Sequence, residues 1–416
     1  MTALELTPPM PARRPPAGDA ARWVGAIDVD DLRPHPDEGL VRFVDAEGYG
    51  AARLLVRRGG AVAGYVTVPI EDGLASVAAI RDRLRGTDVP AAAQLADASQ
   101  ISVVICTRDR PDLLREALTS VMALDPPPAE VIVVDNAAAT TSTADLVALE
   151  FPTVRLVAEP VAGLSNARNA GLRASTGRFV AFTDDDVVVD PSWVGHLASA
   201  FAADPTVACV TGLVPSGELS NDVQAWFDAR VSWSKTTRRR VFRLSEPPQD
   251  LPMFPFCVGE YGTGANFAVD RDVVLRLGGF DPALGVGTPT QGGEDLDMFT
   301  RLLFADRALV LEPNAIVWHR HRDDLPALRK QAIGYGRGLG AWLTTVVLRP
   351  RMLASAIRRS PRAVVRLVRK PMTTVENERV TISSELASSA RSMSRLELFN
   401  VVLGPGSYLR ARWGSR

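Results

Sequence analysis

The run Asp184-Asp185-Asp186 places three carboxylates side by side in this 416-residue chain. It follows the apolar residues 179–182, which are typical of a strand buried on both faces of a sheet. Adjacent carboxylates repel one another and raise each other's pKa unless a cation offsets their charge. Oxygen ligands at this density suit Mn²⁺ or Mg²⁺, with substrate phosphates completing the coordination shell. The run therefore predicts a divalent-metal site at the end of a strand.

Polar residues also follow two other apolar runs. Thr107 and Arg108 come after residues 101–106, and Asp135 comes after residues 131–134. Because ligands bind beyond the carboxyl ends of parallel strands, we expect these residues to lie near the aspartate run. Strand termination or helix capping explains Asp135 equally well when that residue is considered alone.

Residues 163–171 combine a helix start with basic and amide side chains. Gly163 precedes the helix, Ser165 is the predicted N-cap, and Arg168 and Asn169 lie one turn further in. Helix N-termini and arginine side chains both favour phosphate oxygens. The segment therefore predicts a phosphate-binding helix start, and the alternative is an ordinary capped helix with a surface arginine.

Two acidic residues and a histidine complete the candidate chemistry. Glu294 and Asp295 stand at the start of an apolar helical face within residues 296–303, where the helix dipole favours ionised carboxylates. A carboxylate there can act as a general base, although simple N-capping would use the same residues. His319 follows the apolar residues 315–318, and a neutral imidazole at a strand end can complete a carboxylate-bound metal site.

The elements that must position these residues alternate along the chain. Short apolar runs predict strands, and segments with helical spacing of apolar residues predict helices between them. The strands are predicted at residues 101–106, 131–134, 154–157, 179–182 and 207–214, and the helices at 111–124, 165–174 and 192–201. This alternation is typical of an α/β fold with a mostly parallel sheet flanked by helices.

Composition divides the chain into five predicted segments. Residues 1–23 are rich in Pro, Ala and Arg and predict a disordered tail. Residues 24–85 predict a small α+β unit with a β-hairpin, and residues 86–100 a linker. Residues 101–322 form the predicted catalytic domain, and residues 323–416 a mainly helical, basic C-terminal region.

Bulk properties narrow the class of protein. The formal net charge of -1 argues against a nucleic-acid partner bound through overall charge. The three cysteines are far apart, which argues against a disulfide framework and favours a reducing compartment. No run approaches the ~18 apolar residues of a spanning helix, and no secretory signal is expected. We therefore expect a cytoplasmic protein, either free or peripheral on the inner face of the cell membrane.

The segment 349–370 carries eight basic residues and no acidic one, interleaved with apolar residues. A basic amphipathic helix of this kind predicts contact with an anionic membrane surface. A solvated helix that packs on the catalytic domain is the alternative. Further along, Gly404-Pro405-Gly406 predicts a helix break.

Taken in this order, the motifs resemble those of family-2 glycosyltransferases, which have the GT-A fold. The resemblance extends from residue 101 to residue 319. It consists of a first strand and loop at 103–111, a strand end at 134–136, a helix start at 163–169, a DxD motif at 184–186, an ED motif at 294–295 and His319. The first loop departs from the family, because Arg108-Asp109 stands where many members carry an aromatic residue and Asn.

The resemblance implies a role for each matching residue. Asp295 would be the catalytic base, with Glu294 beside it. The metal ligands would be Asp184, Asp186 and His319. The residues that would contact the nucleotide sugar are Thr107, Arg108, Asp135, Gly163, Arg168, Asn169, Asp184, Asp185 and Asn266.

The implied function is an inverting, metal-dependent transfer of a sugar from a UDP-, GDP- or dTDP-sugar to a hydroxyl of a glycan or lipid-linked acceptor. Such a reaction suits the synthesis of cell-envelope polysaccharides or glycolipids. One alternative is a nucleotidyltransferase, but such enzymes usually carry a glycine-rich loop after the first strand, and residues 107–111 contain no glycine. A second is a catalytically inactive sugar-nucleotide-binding scaffold, against which the presence of Asp186 and Asp295 argues.

Overall fold

A computed structural model describes the backbone of residues 4–369 and 384–414 and the side chains of residues 4–359 and 392–414. The N-terminal region contains helix α1 (Val77–Leu84) and the strands β1 (Leu4–Leu6), β2 (Trp23–Asp28), β3 (Leu40–Phe43), β4 (Ala51–Arg58), β5 (Ala61–Pro69) and β6 (Leu74–Ser76). Strands β4 and β5 pair antiparallel around Gly59 and Gly60, which both have positive φ. The hairpin predicted in this region is therefore confirmed.

Residues 4–23 contain strand β1 and contact distant parts of the chain, whereas the sequence predicts a disordered tail at residues 1–23. Strand β1 pairs in parallel with β3. Further along, Met10 is buried in an apolar cluster with Leu213 and Trp318. The partners of this segment lie far away in the sequence, so its own proline-rich composition does not reveal them.

A nine-stranded sheet lies at the centre of the described part of the chain, in the order β11-β15-β12-β14-β10-β7-β8-β9 with β13 paired to β15. Its strands are β7 (Ile101–Thr107), β8 (Glu130–Asn136), β9 (Arg155–Glu159), β10 (Phe179–Thr183), β11 (Val187–Val189), β12 (Val207–Leu213), β13 (Arg240–Phe242), β14 (Asn266–Asp270) and β15 (Ala308–His319). Strands β7, β8, β9, β10, β12 and β15 run in one direction, whereas β11, β13 and β14 run antiparallel to their neighbours. The predicted α/β class and mostly parallel sheet are confirmed.

Helices cover both faces of this sheet. They are α2 (Pro111–Met122), α3 (Ser142–Glu150), α4 (Leu164–Ala174), α5 (Trp193–Ala202), α6 (Asp222–Arg230), α7 (Arg271–Arg276) and α8 (Glu294–Phe304). Strand β7 is mostly apolar because its side chains enter cores on both sides of the sheet: Val103 and Ile105 lie in one core cluster, and Val104 lies in another. Leu118 of α2 packs into the first cluster and Phe299 of α8 into the second, so the strand is buried on both faces.

The N-terminal strands pack on the edge of the central sheet. Val24 and Leu55 share an apolar cluster with Ile316 of β15. Arg57 and Asp190 add an ion pair across the same contact. Between the two regions, residues 86–100 contain no helix or strand. The segment boundaries proposed at residues 24–85 and 86–100 stay a prediction.

The described part of the C-terminal region contains the helices α9 (Leu325–Leu348), α10 (Pro350–Arg369) and α11 (Ser384–Gly414). Gly340 of α9 and Gly404 of α11 pack so closely that a Cβ at either position would clash with backbone of the other helix. Helix α11 continues through Pro405, so the predicted break there is wrong. Packing along α9 supports the helix on both sides of this proline. Among the described residues, none of the helices has the length and apolar composition that crossing a bilayer requires.

Candidate active site

The carboxyl ends of three neighbouring parallel strands meet at one edge of the central sheet. Thr107 ends β7 and stands opposite Asp135 of β8 in the strand register. The hydroxyl of Thr107 also donates a hydrogen bond of 2.7 Å to Asp185, just beyond β10. Arg108 follows at the same edge and is exposed. The convergence that the sequence predicts for these strand ends is therefore confirmed.

Asp184, Asp186 and His319 form a compact group of possible metal ligands. One carboxylate or imidazole atom of each lies within 4.8 Å of the others. Strand β11 follows the aspartate run and pairs with β15, so that Val187 stands opposite His319. Within the group, His319 Nε2 lies 3.4 Å from Asp186 Oδ1. Two short antiparallel segments thus bring residues more than a hundred positions apart to one point.

Arginine side chains surround the aspartate run. Arg110 Nη1 lies 3.1 Å from Asp185 Oδ1. Arg322 Nη2 lies 3.8 Å from Asp186 Oδ2. Hydrogen bonds from Thr107 and Arg110 therefore hold the middle carboxylate, whereas each outer carboxylate lies near His319 and has an arginine at 3.8 Å.

The charges of this group are unevenly distributed. Burial raises the pKa of Asp184 to about 7, and the neighbouring Asp186 adds to that rise. Burial opposes ionisation of Asp186 as well, but His319 beside it holds the pKa of Asp186 below its usual range. Burial lowers the pKa of His319, but Asp186 outweighs this effect and raises it. A divalent cation would compensate both carboxylates, so the donor set of two oxygens and one nitrogen fits Mn²⁺ or Mg²⁺.

Glu294 and Asp295 occupy the first turn of α8, as predicted. The turn into this helix needs a left-handed residue, and Gly293 supplies it with φ 93°. Asp295 Oδ2 accepts a hydrogen bond of 2.9 Å from the backbone N–H of Gly264, and its side chain remains partly exposed. Glu294 is buried, and burial followed by the charge of Asp295 raises its pKa. Asp295 is thus the carboxylate of this pair that an incoming hydroxyl can reach.

Arg168 links the two acidic groups. Its Nη1 donates a hydrogen bond of 2.9 Å to Glu294, and its Nη2 donates one of 2.9 Å to the carbonyl of Gly264. The same guanidinium lies 3.8 Å from Asp184. Because Gly264 also holds Asp295, one buried arginine organises the proposed base and the proposed metal ligands together.

Residues 102–266 match the family model described as glycosyl transferase family 2. The succinoglycan biosynthesis protein ExoM of Rhizobium meliloti (strain 1021) is 32% identical over 255 residues, which cover 58% of this chain and 75% of ExoM. The chain belongs to glycosyltransferase family 2. With the strand order described above, this membership confirms the predicted GT-A-type fold and enzyme class and argues against the nucleotidyltransferase and the scaffold.

Two other similar proteins align with this glycosyltransferase over different shares of their own length. The pre-mycofactocin glycosyltransferase of Mycobacterium tuberculosis is 31% identical over 226 residues, 54% of this chain but only 43% of that protein. The chain thus spans less than half the length of this relative. Among solved structures, mannosyltransferase PcManGT from Pyrobaculum calidifontis, in complex with GDP-Man and Mn²⁺, aligns with 78% of this chain and 91% of its own. The identity in that alignment is 18%, and the TM-score is 0.46.

Three positions of the glycosyltransferase make contacts within the protein that the sequence does not predict. Gly163, with φ 131°, is the residue that caps α4, whereas Ser165 donates its hydroxyl to the carbonyl of Leu284. The predicted N-cap at Ser165 is therefore wrong. Asn169 is predicted to contact the donor. In the structure its side-chain amide donates a hydrogen bond to the carbonyl of Phe280 and accepts one from the backbone N–H of the same residue. The structure therefore gives this asparagine a loop-bracing position.

Asn266 is the third of these positions. Its side chain is completely buried, although the sequence predicts it in the sugar site. The amide accepts a hydrogen bond from Trp193 and donates to the carbonyls of Leu213 and Ala315. Asn266 therefore clamps β14 to β12, β15 and α5.

The sequence predicts no contacts for three further residues of the site, namely Asn136, Gly264 and Arg110. Asn136 accepts a hydrogen bond from the backbone N–H of Gly163 and donates two to the chain at Glu159 and Val161. Gly264 holds Asp295 through its backbone N–H, and a Cβ at this position would lie 2.9 Å from Arg168 Nη2 and 3.1 Å from Asp295 Oδ2, so glycine suits this contact. Arg110 could have been found, because it stands three residues beyond Thr107 in the first loop of the family motif.

Proposed function

We propose that this family-2 glycosyltransferase moves a sugar from a nucleoside-diphosphate sugar to an acceptor hydroxyl with inversion at the anomeric carbon. The observation that carries the proposal is the fixed, partly exposed carboxylate of Asp295, held by Gly264 N–H at 2.9 Å. Through Arg168 this carboxylate is connected to Asp184, so the acid pair and the aspartate run form one site. Its other oxygen, Oδ1, accepts a hydrogen bond of 2.8 Å from the backbone N–H of Leu296 in the first turn of α8.

The proposed reaction is a single displacement. The acceptor oxygen bonds to the anomeric carbon while Asp295 takes the hydroxyl proton. At the same time the bond from the anomeric carbon to the diphosphate breaks, and its electron pair leaves with the nucleoside diphosphate. Because attack and departure occur on opposite faces, one such step inverts the anomeric centre and forms no covalent enzyme intermediate.

We propose that Asp184, Asp186 and His319 hold a divalent cation, Mn²⁺ or Mg²⁺. When bound, such a cation offsets the negative charge that develops on the leaving diphosphate. Arg110 and Arg322 lie beside the same carboxylates and add positive charge to that end of the site. Arg168 keeps its terminal nitrogens on protein acceptors, so we assign it to positioning of Glu294 and the Gly264 loop.

We propose that the nucleoside binds beside Asp135. The Oδ1 atom of Asp135 is buried, and apart from the nearby hydroxyl of Thr143 it has no hydrogen-bond donor among the described residues. A buried acceptor of this kind favours a ligand donor such as a ribose hydroxyl or a base N–H. Thr107, by contrast, already donates its hydroxyl to Asp185 and so positions that carboxylate. A UDP-, GDP- or dTDP-sugar would satisfy this arrangement.

We further propose a glycan or lipid-linked acceptor in cell-envelope or polysaccharide synthesis, because the relative ExoM is a succinoglycan biosynthesis protein. A cytoplasmic location at the inner face of the membrane suits such an acceptor. Two apolar residues of the segment 349–370 differ in their availability for the proposed membrane contact. Met352 is buried in the core, whereas Ile357 is exposed. The apolar positions 364–368 lie outside the residues whose side chains are described.

The decisive experiment is donor hydrolysis by purified protein, with a panel of nucleotide sugars in Mn²⁺, Mg²⁺ or chelator. We expect metal-dependent release of one nucleoside diphosphate, lost in Asp186→Ala and retained in the exposed control Asp112→Asn. The anomeric configuration of the first product, measured by NMR, tests inversion. If no donor or nucleoside diphosphate binds by calorimetry with metal present, the donor-site proposal is wrong.

A further inference from the structure

Helix α11 has one face that packs on the protein and an opposite face that does not. The packed face carries Met393, Asn400, Gly404 and Tyr408, all of them buried. The opposite face carries large apolar side chains that are exposed. This outer face of α11 consists of Leu398, Phe399, Val402, Leu403, Leu409 and Trp413.

The exposure of this face is unusual in extent. Val402 is 74% exposed and Trp413 is 69% exposed. A single exposed leucine is ordinary on a protein surface, but a contiguous apolar patch marks an interaction site. On the neighbouring helix α9, Leu343 and Val347 are exposed as well. The outer face of α11 therefore requires a partner that accepts apolar side chains.

The charges beside the outer face indicate which partner. Arg395 and Arg410 lie on the same helix, as does Arg412, whose Nη1 donates a hydrogen bond of 3.1 Å to the hydroxyl of Tyr408. Within residues 392–414 the acidic residue is Glu397, which pairs with Arg230. A second copy of this chain, packed through the same face, would bring these arginines against one another. An anionic lipid surface would instead attract each of them.

We propose that the outer face of α11 lies on an anionic membrane surface as an interfacial helix. Its aliphatic and phenyl side chains enter the boundary between headgroups and acyl chains, while the arginines remain among the phosphates. Trp413 suits the end of such a helix, because indole rings concentrate at the membrane interface. This inference deepens the membrane contact of the proposed function, on which it rests for its purpose, and moves its apolar part from residues 349–370 to α11.

The test is flotation of the full-length protein with vesicles of phosphatidylcholine containing phosphatidylglycerol, beside vesicles of phosphatidylcholine alone. The double variant Phe399→Ser with Val402→Ser removes two apolar side chains from the outer face. We expect its partitioning to anionic vesicles to fall about tenfold or more. The control is Leu149→Ser with Met122→Ser, which changes exposed apolar residues of α3 and α2 and should leave partitioning unchanged.

Parallel measurements separate the outcomes. Thermal unfolding and donor hydrolysis should be unchanged in the α11 variant, because the substituted side chains are exposed and lie outside the active site. Unchanged vesicle binding would overturn the inference. The inference would also be overturned if the double variant Arg351→Gln with Arg358→Gln lost vesicle binding while the α11 variant kept it, because the contact would then lie in α10. A dimer in light scattering that the serines dissociate would assign the face to a second copy instead. If hydrolysis fails in the parent protein while vesicle binding follows α11, only the proposed reaction is wrong.

Discussion

Arg168 Nη1 donates a hydrogen bond of 2.9 Å to Glu294 Oε1, and both side chains are almost completely buried. Removing one partner of such a pair leaves the other charge uncompensated in the interior. We therefore expect Arg168→Met to lower the free energy of unfolding by ~3–5 kcal/mol. Adding Glu294→Gln should recover part of this loss. Denaturant titration of both variants measures the coupling.

The control for this prediction is the exposed pair of Arg115 and Glu150. Arg115→Met should cost far less, because solvent screens an exposed ion pair. Equal losses in Arg168→Met and Arg115→Met would show that Arg168 does not organise the interior of the site.

Asp295 should be essential for the chemical step but not for donor binding. The substitution Asp295→Asn keeps an oxygen that can accept the Gly264 hydrogen bond, while it removes the base. We expect kcat to fall about 10²- to 10⁴-fold, with donor affinity in calorimetry within about twofold of the parent. Asp112→Asn, in the first turn of α2, is the matched control. A comparable loss of donor affinity in Asp295→Asn would assign this residue to binding.

The three aspartates should differ in their effect on metal binding. Asp186 and His319 belong to the candidate ligand group, whereas Asp185 is held by Thr107 and Arg110. Substitution of residues that merely support ligands typically costs about 10- to 100-fold in metal affinity. We therefore expect Asp186→Asn or His319→Ala to weaken Mn²⁺ binding at least that much, and Asp185→Asn to weaken it less. Electron paramagnetic resonance titration with Mn²⁺ decides, and a larger effect at Asp185 would contradict the ligand assignment.

The parallel part of the sheet could be predicted because burial leaves a local trace. In β7, Val103 and Val104 face opposite cores, so the residues between Ser102 and Thr107 are all apolar. Strand β14 gives no comparable signal of its position. It inserts antiparallel between β10 and β12, and this pairing depends on contacts far apart in the sequence.

The candidate site, like the sheet, could be predicted from the sequence only in part. Thr107, Asp135 and the aspartate run converge as predicted, because strand ends in a parallel sheet share one edge. Motifs give residue types but not side-chain directions. Asn169 and Asn266 therefore match motif positions, while the structure turns their amides toward buried backbone groups.

Asn266 provides a direct test of that difference. Asn266→Ala would leave the indole N–H of Trp193 and two buried carbonyls without their partner. Each unsatisfied buried group costs ~1–3 kcal/mol, so we expect the free energy of unfolding to fall by about 3 kcal/mol or more. The donor KM, measured where the variant is still folded, should stay near that of the parent. Asn314→Ala, which removes one hydrogen bond from Val62, should destabilise less. A raised donor KM without destabilisation would return Asn266 to the sugar site.

His196 should make the contact between the N-terminal hairpin and the catalytic domain sensitive to acid. Its imidazole is buried and packs against Gly60 in the β4–β5 turn, so that a Cβ added to Gly60 would lie 3.2 Å from Nε2. Burial lowers the pKa of His196 to about 4; the nearby charge of Asp190 opposes this shift, and that of Arg57 adds to it. Between about pH 6.5 and about pH 4, His196 is therefore protonated in the unfolded chain but neutral in the folded chain.

Stability from this histidine is consequently complete above about pH 6.5 and is lost as the pH falls toward 4. We expect the loss to reach ~3 kcal/mol at the acid end. His196→Leu should remove this component, so the difference in unfolding free energy between parent and variant should change with pH across that window only. Urea titrations at pH 7.5 to 4.5 measure it, with His35→Leu as the control for loss of a partly exposed histidine. If the free energies of unfolding of the parent and His196→Leu change in parallel with pH, protonation of His196 does not destabilise the folded protein.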